Sequence, residues 1–462
     1  MKSLDEYLSP LLDQLGQSQV KENVKSLSGH LIEGQTGQLW NISSDNAEYT
    51  RYLRLLDGSL KTIVDVEKLN ISLLTNSIAY FKDKPYIIIL HDGSDIRKPE
   101  SKELEYLDKV RDLEGNIING YPTFNSVAVD INGQNLRLLQ SSPYSRKLPN
   151  YLPQSDINDY HSNLLLKARR AEVEALLASG DWYNQNTIIA DHVKRINEQI
   201  KSINPNIVII HVYDRGHDSA GQFEYHTAND SLFITRLKTS RNSNEVILNE
   251  KGKEVKLKLV NLPFMSGMNG VERLYDKIKL RKKVYQQVKG LFEWSALEIN
   301  GKFYSVVRVQ FYDRKGQKIF KQPMLLITNM EVINEKLATL VFEIYMKRSK
   351  IECVFKFCKE ELGWENFRNR KFEGIKNLIG LIYFITGYFY EIESEVIKHP
   401  AAQWLANLGK GKGKVTPYYI IRGIGKLYHF LELQELLAQS KNEQNMAKMA
   451  VETFFANKSN FE

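Results

Sequence analysis

The sequence predicts an α/β chain with helical ends, an apolar-stranded core and a β-rich insertion. Three observations predict it. Residues 85–90 (PYIIIL) and 206–212 (NIVIIHV) are short, β-branched, almost wholly apolar runs, the pattern of strands buried on both faces. Helical periodicity fills residues 156–179 and 187–202 between those runs, and it returns after Asn329 almost to the C-terminus. From Lys238 to Thr328, short β-like pieces alternate with turn dipeptides such as Asn300-Gly301 and Lys315-Gly316.

The elements follow in order. Leu4, Tyr7, Leu8, Leu11, Leu12 and Leu15 sit at helical spacing, and residues 49–60 repeat the pattern. Residues 1–75 are therefore expected to form a helical N-terminal domain, either a DNA-binding unit or a cap packed on the main domain. Residues 76–237 are expected to begin the core, with strands at 85–90, 126–130, 136–140, 206–212 and 231–237. The dipeptide Asn132-Gly133 marks a loose hairpin between the second and third of these. Residues 238–330 form the insertion, 331–375 complete the core, and 376–462 form a helical C-terminal region suited to dimerisation or DNA contact. The tail NKSNFE is expected to fray.

Composition narrows the function. The chain has 462 residues and only two cysteines, too few for a disulfide framework, so a reducing, cytoplasmic compartment is expected. The N-terminal stretch MKSLDEYLSPLLDQLGQ places acids inside its first apolar run and lacks a signal-peptide pattern. The longest apolar run, LIGLIYFITGYFY at 378–390, is too short to span a bilayer and reads as a buried helix, so no membrane partner is expected. Lysine plus arginine outnumber the acids 63 to 55, a net charge of +8 that favours a polyanionic partner.

One constellation carries chemistry. Each of the two apolar runs leads into an aspartate, Asp92 and Asp214. Much later, Tyr345, Arg348, Glu352 and Lys359 fall at offsets of 0, 3, 7 and 14 residues. On one continuous helix these project within roughly 60° of one another, a single polar stripe. Ile344, Ile351, Phe355, Cys358 and Leu362 form an adjoining apolar stripe that would anchor the helix. Three carboxylates brought together from two strands and a helix are hard oxygen ligands suited to Mg²⁺ or Mn²⁺. Two such ions can activate a nucleophile and stabilise the leaving oxygen of a phosphodiester. The neighbouring arginine and lysine suit phosphate.

Tyr345-x2-Arg348-x3-Glu352-x6-Lys359 matches the YREK motif, and the chain resembles the insertion-sequence-four family of DDE transposases. The segment MLLITNMEVINEKLATLVFEIYMKRSKIECVFKFCK is similar to that family's region around its catalytic glutamate. Tyr213-Asp214-Arg215-Gly216-His217-Asp218-Ser219 resembles its second-aspartate motif, and IIILHDGSD its first-aspartate strand. The resemblance spans roughly residues 80–375. It implies a ribonuclease-H-like mixed sheet with flanking helices and a β-rich insertion. It implies that Asp92, Asp214 and Glu352 are the catalytic, metal-binding triad holding two Mg²⁺, with Mn²⁺ as a substitute. It implies that Tyr345, Arg348, Lys359 and Arg215 contact DNA. The partners it implies are double-stranded DNA, both transposon ends and target, and a second copy of the chain in a homodimer. The chain departs from the family in Gly93-Ser94 and in Ser349-Lys350, and Asp95 is a rival for Asp92; Asp92 is preferred because it lies closer to the apolar run.

Further features carry a weaker signal. The segment VERLYDKIKLRKKVYQQVKG at 271–290, the GKGKGK run at 409–414, and Arg422 and Lys426 could track phosphates, with Tyr275, Tyr285, Tyr418 and Tyr419 interleaved. Trp294 could stack on a flipped base, although a packed core tryptophan is the commoner role. Cys353 and Cys358 lack a metal-ligand pattern and read as inert packing residues, and His91, His211 and His217, near the aspartates, read as structural or as supports behind the acidic side chains. Two rival functions remain: an inactive or domesticated protein that binds transposon ends, and a tyrosine recombinase suggested by His192-x2-Arg195.

Overall fold

The computed structural model describes residues 2–57, 64–248, 254–261, 270–280, 283–396 and 399–439. The tail 457–462, the end of the expected helix 49–60, and Arg281 and Lys282 of the basic segment lie outside the described residues.

Strands β1 (Tyr86–Arg97), β2 (Asp108–Arg111), β3 (Ile117–Val129) and β4 (Arg137–Pro143) come first; β5 (Val208–Tyr213) and β6 (Leu232–Arg236) follow. The insertion supplies β7 (Asn242–Leu248), β8 (Glu254–Lys258), β9 (Val271–Leu280), β10 (Lys283–Ile299) and β11 (Lys302–Tyr312), and β12 (Met324–Thr328) returns to the core. All but β7 and β8, which pair with each other, form one ten-stranded sheet in the order β2-β3-β1-β5-β6-β12-β11-β10-β9, with β4 also on β3. The β4-β3-β1 side is antiparallel, whereas β1, β5 and β6 run parallel. This mixed sheet with flanking helices agrees with a ribonuclease-H-like fold.

Local chemistry explains the turns. Asn300 and Gly301 both take positive φ, 52° and 76°, between Ile299 and its partner Lys302, as a two-residue hairpin of matching twist requires. In the looser β3–β4 hairpin, the Asp130 carboxylate accepts from the backbone N–H of Asn132 and of Gln134, and Gly133 sits at φ 73°.

Five helices precede the sheet: α1 (Leu4–Leu12), α2 (Ser18–Gly34), α3 (Leu39–Ile42), α4 (Asn46–Leu56) and α5 (Val66–Ile78). The expected helix over 156–179 is two, α6 (Gln154–His161) and α7 (Lys167–Ser179), parted where Asn163 adopts φ 56°. Helix α8 (Gln185–Ile203) leads into β5, and α9 (Ala220–Ala228) crosses from β5 to β6. After β12 come α10 (Glu335–Met346), α11 (Ser349–Glu361), α12 (Phe372–Val396), α13 (Pro400–Leu408) and α14 (Pro417–Gln439).

The apolar run 378–390 lies within α12, where Leu378, Ile379, Leu381, Ile382, Phe384 and Ile385 are wholly buried. Among the described residues no helix is long and apolar enough to cross a membrane. One continuous apolar core joins α12 to the N-terminal helices and to one face of the sheet, through residues such as Leu27, Leu73, Ile88, Val212 and Leu326. Polar anchors fix the joint: Tyr7 Oη donates to the Phe384 carbonyl at 2.9 Å, and Asn377 Nδ2 to the Leu56 carbonyl at 2.8 Å.

Helices α13 and α14 approach backbone to backbone. A Cβ at Gly423 would collide with the Leu405 carbonyl, and one at Gly409 with the Tyr419 carbonyl. Neither obstacle is the end of a flexible side chain. Gly423→Ala is therefore expected to lower stability by about 1–3 kcal/mol, read as a fall in the denaturant midpoint at unchanged slope.

Candidate active site

The pairing of β1 with β5 ends at Leu90 and Val212. Asp92 and Asp214 each lie two residues beyond that last pair. The two carboxylates thus emerge at the carboxyl ends of adjacent parallel strands, where open α/β sheets form binding crevices. Asp92 does not end its strand, contrary to expectation. β1 loses its parallel neighbour there but continues to Arg97, paired antiparallel with β3 from Asp92↔Asn125 to Arg97↔Gly120. The segment DGSDIR looks like a loop because it is polar, yet β3 supplies a full ladder. Asp214 instead leaves the sheet and caps a short 3₁₀ turn, accepting from the Gly216 N–H at 2.7 Å.

The third element is not the single helix expected. α10 ends at Met346 and α11 starts at Ser349. Between them the chain tightens, with Arg348 N–H bonding to the Tyr345 carbonyl and Ile351 N–H to that of Arg348. Tyr345 therefore closes α10, Arg348 sits at the junction, and Glu352 and Lys359 ride on α11. The Asn334 side chain starts α10 by accepting from Leu337 N–H, and Ile351, Val354, Phe357 and Cys358 bury one face of α11.

Arg348 joins the strands to the helix. Its Nη1 donates to Asp92 Oδ2 at 2.5 Å and its Nη2 to Glu352 Oε1 at 2.6 Å. The Arg348 and Asp92 side chains are 19% and 18% exposed, whereas that of Glu352 is 57% exposed. Burial raises the Asp92 carboxyl to about 7; Arg348 opposes the shift, and the nearby charges of Asp214 and Glu352 add to it. Asp92, Asp214 and Glu352 thus share one electrostatic neighbourhood. His217 is buried with Nε2 3.8 Å from Asp214 Oδ1; burial lowers its pKa, and the Asp214 charge opposes that shift.

Residues 190–386 match the family model described as Transposase DDE domain. The match supports a DDE transposase. It contains Asp214 and Glu352, while Asp92 lies on the N-terminal side of the matched stretch. No curated protein matches the chain.

The other expected residues divide into two groups. Near the acids, Arg215 is exposed on the 3₁₀ turn. Tyr345 is buried, and burial raises its hydroxyl although Arg348 and Arg236 stand beside it. Lys359 is not free toward the groove. Its Nζ lies 2.6 Å from the Asp95 carbonyl and 3.1 Å from Glu365, which Arg97 also grips with two hydrogen bonds of 2.9 Å. Asp95 turns its carboxylate to the Arg111 backbone N–H at 3.1 Å, and Arg348 contacts Asp92 instead.

The sequence pattern does not single out Arg236 and Lys238. With Asp214, Arg215, Thr239 and Ser240 they line a cleft of about 400 Å³. The available signal was a pair of cations at the end of an apolar strand, Arg236 closing β6 and Lys238 just past it. Asp218 orders this rim by accepting from Lys238 N–H at 2.9 Å and pairing with Arg241.

The remaining candidates have packing roles or lie at the surface. Trp294 is half-buried against the main core. Cys358 is buried beside Thr386, and its thiol is pushed up to about 12 by burial, but Cys353 is exposed rather than packed. Tyr275, Tyr285, Tyr418 and Tyr419 are partly buried against the core. Lys410, Lys412 and Lys414 are exposed between α13 and α14, while Arg422 is engaged by the buried Glu361 and Lys426 by the Leu408 carbonyl. His192 is locked between Ser126 and Ser142, and Arg195 pairs with Glu67, so that pair has the geometry of a packed helix.

The donor set fits a hard divalent cation in its chemistry: three carboxylates, Asp92 within β1, Asp214 just past β5 and Glu352 on α11. The space between two of them is spanned by the Arg348 guanidinium. Among the described residues, no three His, Cys, Asp or Glu side chains are gathered closely enough to hold an ion.

Proposed function

We propose that the protein is a cut-and-paste DNA transposase of the insertion-sequence-four type. The observation that carries this reading is the Arg348 bridge, which ties a strand aspartate to a helix glutamate beside Asp214, within and against a matched transposase DDE domain. In this reading Asp92, Asp214 and Glu352 form the catalytic triad. They would hold two Mg²⁺ ions, or Mn²⁺, which supply activation of the attacking oxygen and stabilisation of the leaving one. Arg348 and Tyr345 meet the DNA backbone at the reacting phosphate. Arg215, with Arg236 and Lys238, grips neighbouring phosphates along the cleft. Lys359 reaches a phosphate only by leaving Glu365. The Gly216 N–H holds the Asp214 carboxylate in place, with the buried His217 behind it. The product would be a 3′-hydroxyl end that is transferred into target DNA by two copies of the chain acting on two ends.

The test is cleavage of linear DNA carrying the element's own ends, in Mg²⁺, in Mn²⁺ and in EDTA. Metal-dependent 3′-hydroxyl ends, followed by their joining to a second duplex, are expected. End binding without cleavage in either metal would favour a non-catalytic end-binding protein. Protein left covalently on the DNA would remove the triad assignment.

A smaller effect tests the cleft. Arg215→Ala is expected to weaken binding of any duplex and to reduce the slope of log affinity against log salt by about 0.9, the change for one fewer phosphate neutralised. An unchanged slope would take Arg215 off the DNA path.

A further inference from the structure

The Arg348 guanidinium stands where two carboxylates of the acidic site converge. Both hydrogen bonds are short and charge-assisted, and the side chain is mostly shielded from water. Its place is fixed from behind: the tight turn between α10 and α11 sets its backbone, with φ −49° and ψ −37°, and Tyr345 closes the preceding turn. One monovalent cation therefore neutralises oxygens that a divalent ion would also need. An oxygen of Asp92 or Glu352 bonded to an arginine N–H offers less to an incoming ion, and two positive centres in one site repel.

The same guanidinium has a second partner of matching geometry. A phosphate presents two oxygens to the planar fork as a carboxylate does. The cleft beside Asp214, lined by Arg215, Arg236 and Lys238, would bring a DNA backbone to within reach of it. A guanidinium drawn onto phosphate leaves Asp92 and Glu352 uncompensated, with Asp214 beside them.

We infer that Arg348 is a positioning residue that exchanges Asp92 and Glu352 for a DNA phosphate, so that DNA binding and divalent-metal loading promote each other. This rests on the triad reading above. By linkage, the factor by which DNA raises metal affinity equals the factor by which metal raises DNA affinity. The free protein is held in a metal-poor state by its own side chain, and chemistry is confined to the DNA complex.

The experiment is a Mn²⁺ titration of the full chain, following the free-ion electron paramagnetic resonance signal, with and without a short blunt duplex. Wild type is compared with Arg348→Ala, Arg348→Lys and Asp92→Asn. Without DNA, Arg348→Ala is expected to bind Mn²⁺ about tenfold more tightly than wild type, the size of effect expected for removal of one competing ion pair. Arg348→Lys, a point charge unable to bridge both carboxylates, is expected to fall between them and serves if the alanine variant does not fold. The duplex is expected to tighten Mn²⁺ binding by wild type and to change that of Arg348→Ala far less. Equal Mn²⁺ affinity for wild type, Arg348→Lys and Arg348→Ala, with binding lost in Asp92→Asn, would overturn the exchange and leave the triad standing. Undiminished binding by Asp92→Asn would overturn the triad and the exchange with it.

Discussion

Asp92→Asn is expected to lower end cleavage by at least ~10³-fold and, at the same time, to leave a protein more stable than wild type near neutral pH. The first half follows from the proposed role: a neutral amide is a poor ligand for a hard cation, and metal-based charge stabilisation is worth several kcal/mol. The second half follows from the environment. Burial raises Asp92 from its ordinary 3.8 to about 7, with Asp214 and Glu352 adding to the shift against Arg348. An acid whose folded pKa lies above its unfolded value favours the fold at low pH, and that support is lost as pH rises from about 4 to 7. That shift already includes the opposing attraction of Arg348, so the gain is on the order of 4 kcal/mol, or about 4 °C in melting temperature. Cleavage assays beside thermal melts at pH 7.5 check both halves. A variant that loses activity and also melts well below wild type would show Asp92 to be a structural residue.

That opposition between stability and role explains why the acids were legible in the sequence. A lone aspartate after an apolar run means little. Two of them at equivalent positions, followed by a glutamate with an arginine four residues before it and a lysine seven after it, form a pattern that packing alone gives no reason to repeat. The apolar strands and the buried α12 were legible for a simpler reason, since continuous β-branched or large apolar runs have few other destinations. The elements that were not legible share a cause of their own. β2 is a short charged segment held by β3, the first half of β3 carries Asn119, Gly120 and Pro122, which disfavour strand, and the extension of β1 past Asp92 has β3 beside it as its ladder partner. The break between α10 and α11 falls in a stretch, Met346-Lys347-Arg348-Ser349, with no proline or glycine to announce it. The engagement of Lys359 by Glu365 joins two residues that local periodicity does not relate, because the chain turns at Gly363 between them. Local sequence encodes which face is apolar; it does not encode which distant strand will be present to complete a polar one.

The histidines carry the second large effect. Beneath the acids, His91 Nε2 lies 2.8 Å from His211 Nδ1, and Ser126 Oγ joins His91 at 2.8 Å to His192 at 2.7 Å. His211 continues to Asn197, and His226 bonds to Tyr213 and Ser231. Burial holds His192 and His226 down to about 3, and it pushes His91 and His211 down as well, with neighbouring histidines adding to both. The sign is then fixed. A histidine whose folded pKa is depressed leaves the unfolded chain binding the extra proton, so stability is present above about 6.5 and falls as pH drops toward the folded value. At pH 5 His192 and His226 each remove about 2 kcal/mol, together about 4 kcal/mol or roughly 4 °C of melting temperature. Asp92 works the other way over the same range and regains about half of that as it takes up its proton. Wild type should therefore lose stability from pH 7 to pH 5, and Asp92→Asn should lose it more steeply because the compensation is gone. His192→Gln, which keeps a hydrogen-bonding side chain between Ser126 and Ser142, should reduce the proton uptake on unfolding at pH 5 by about one. Denaturant titrations at half-unit pH intervals measure all three slopes. A wild-type stability that is flat or rising from pH 7 down to pH 5, with Asp92→Asn parallel to it, would mean that the buried histidines accept protons inside the fold, and the neutral chain beneath the acids would have to be redrawn.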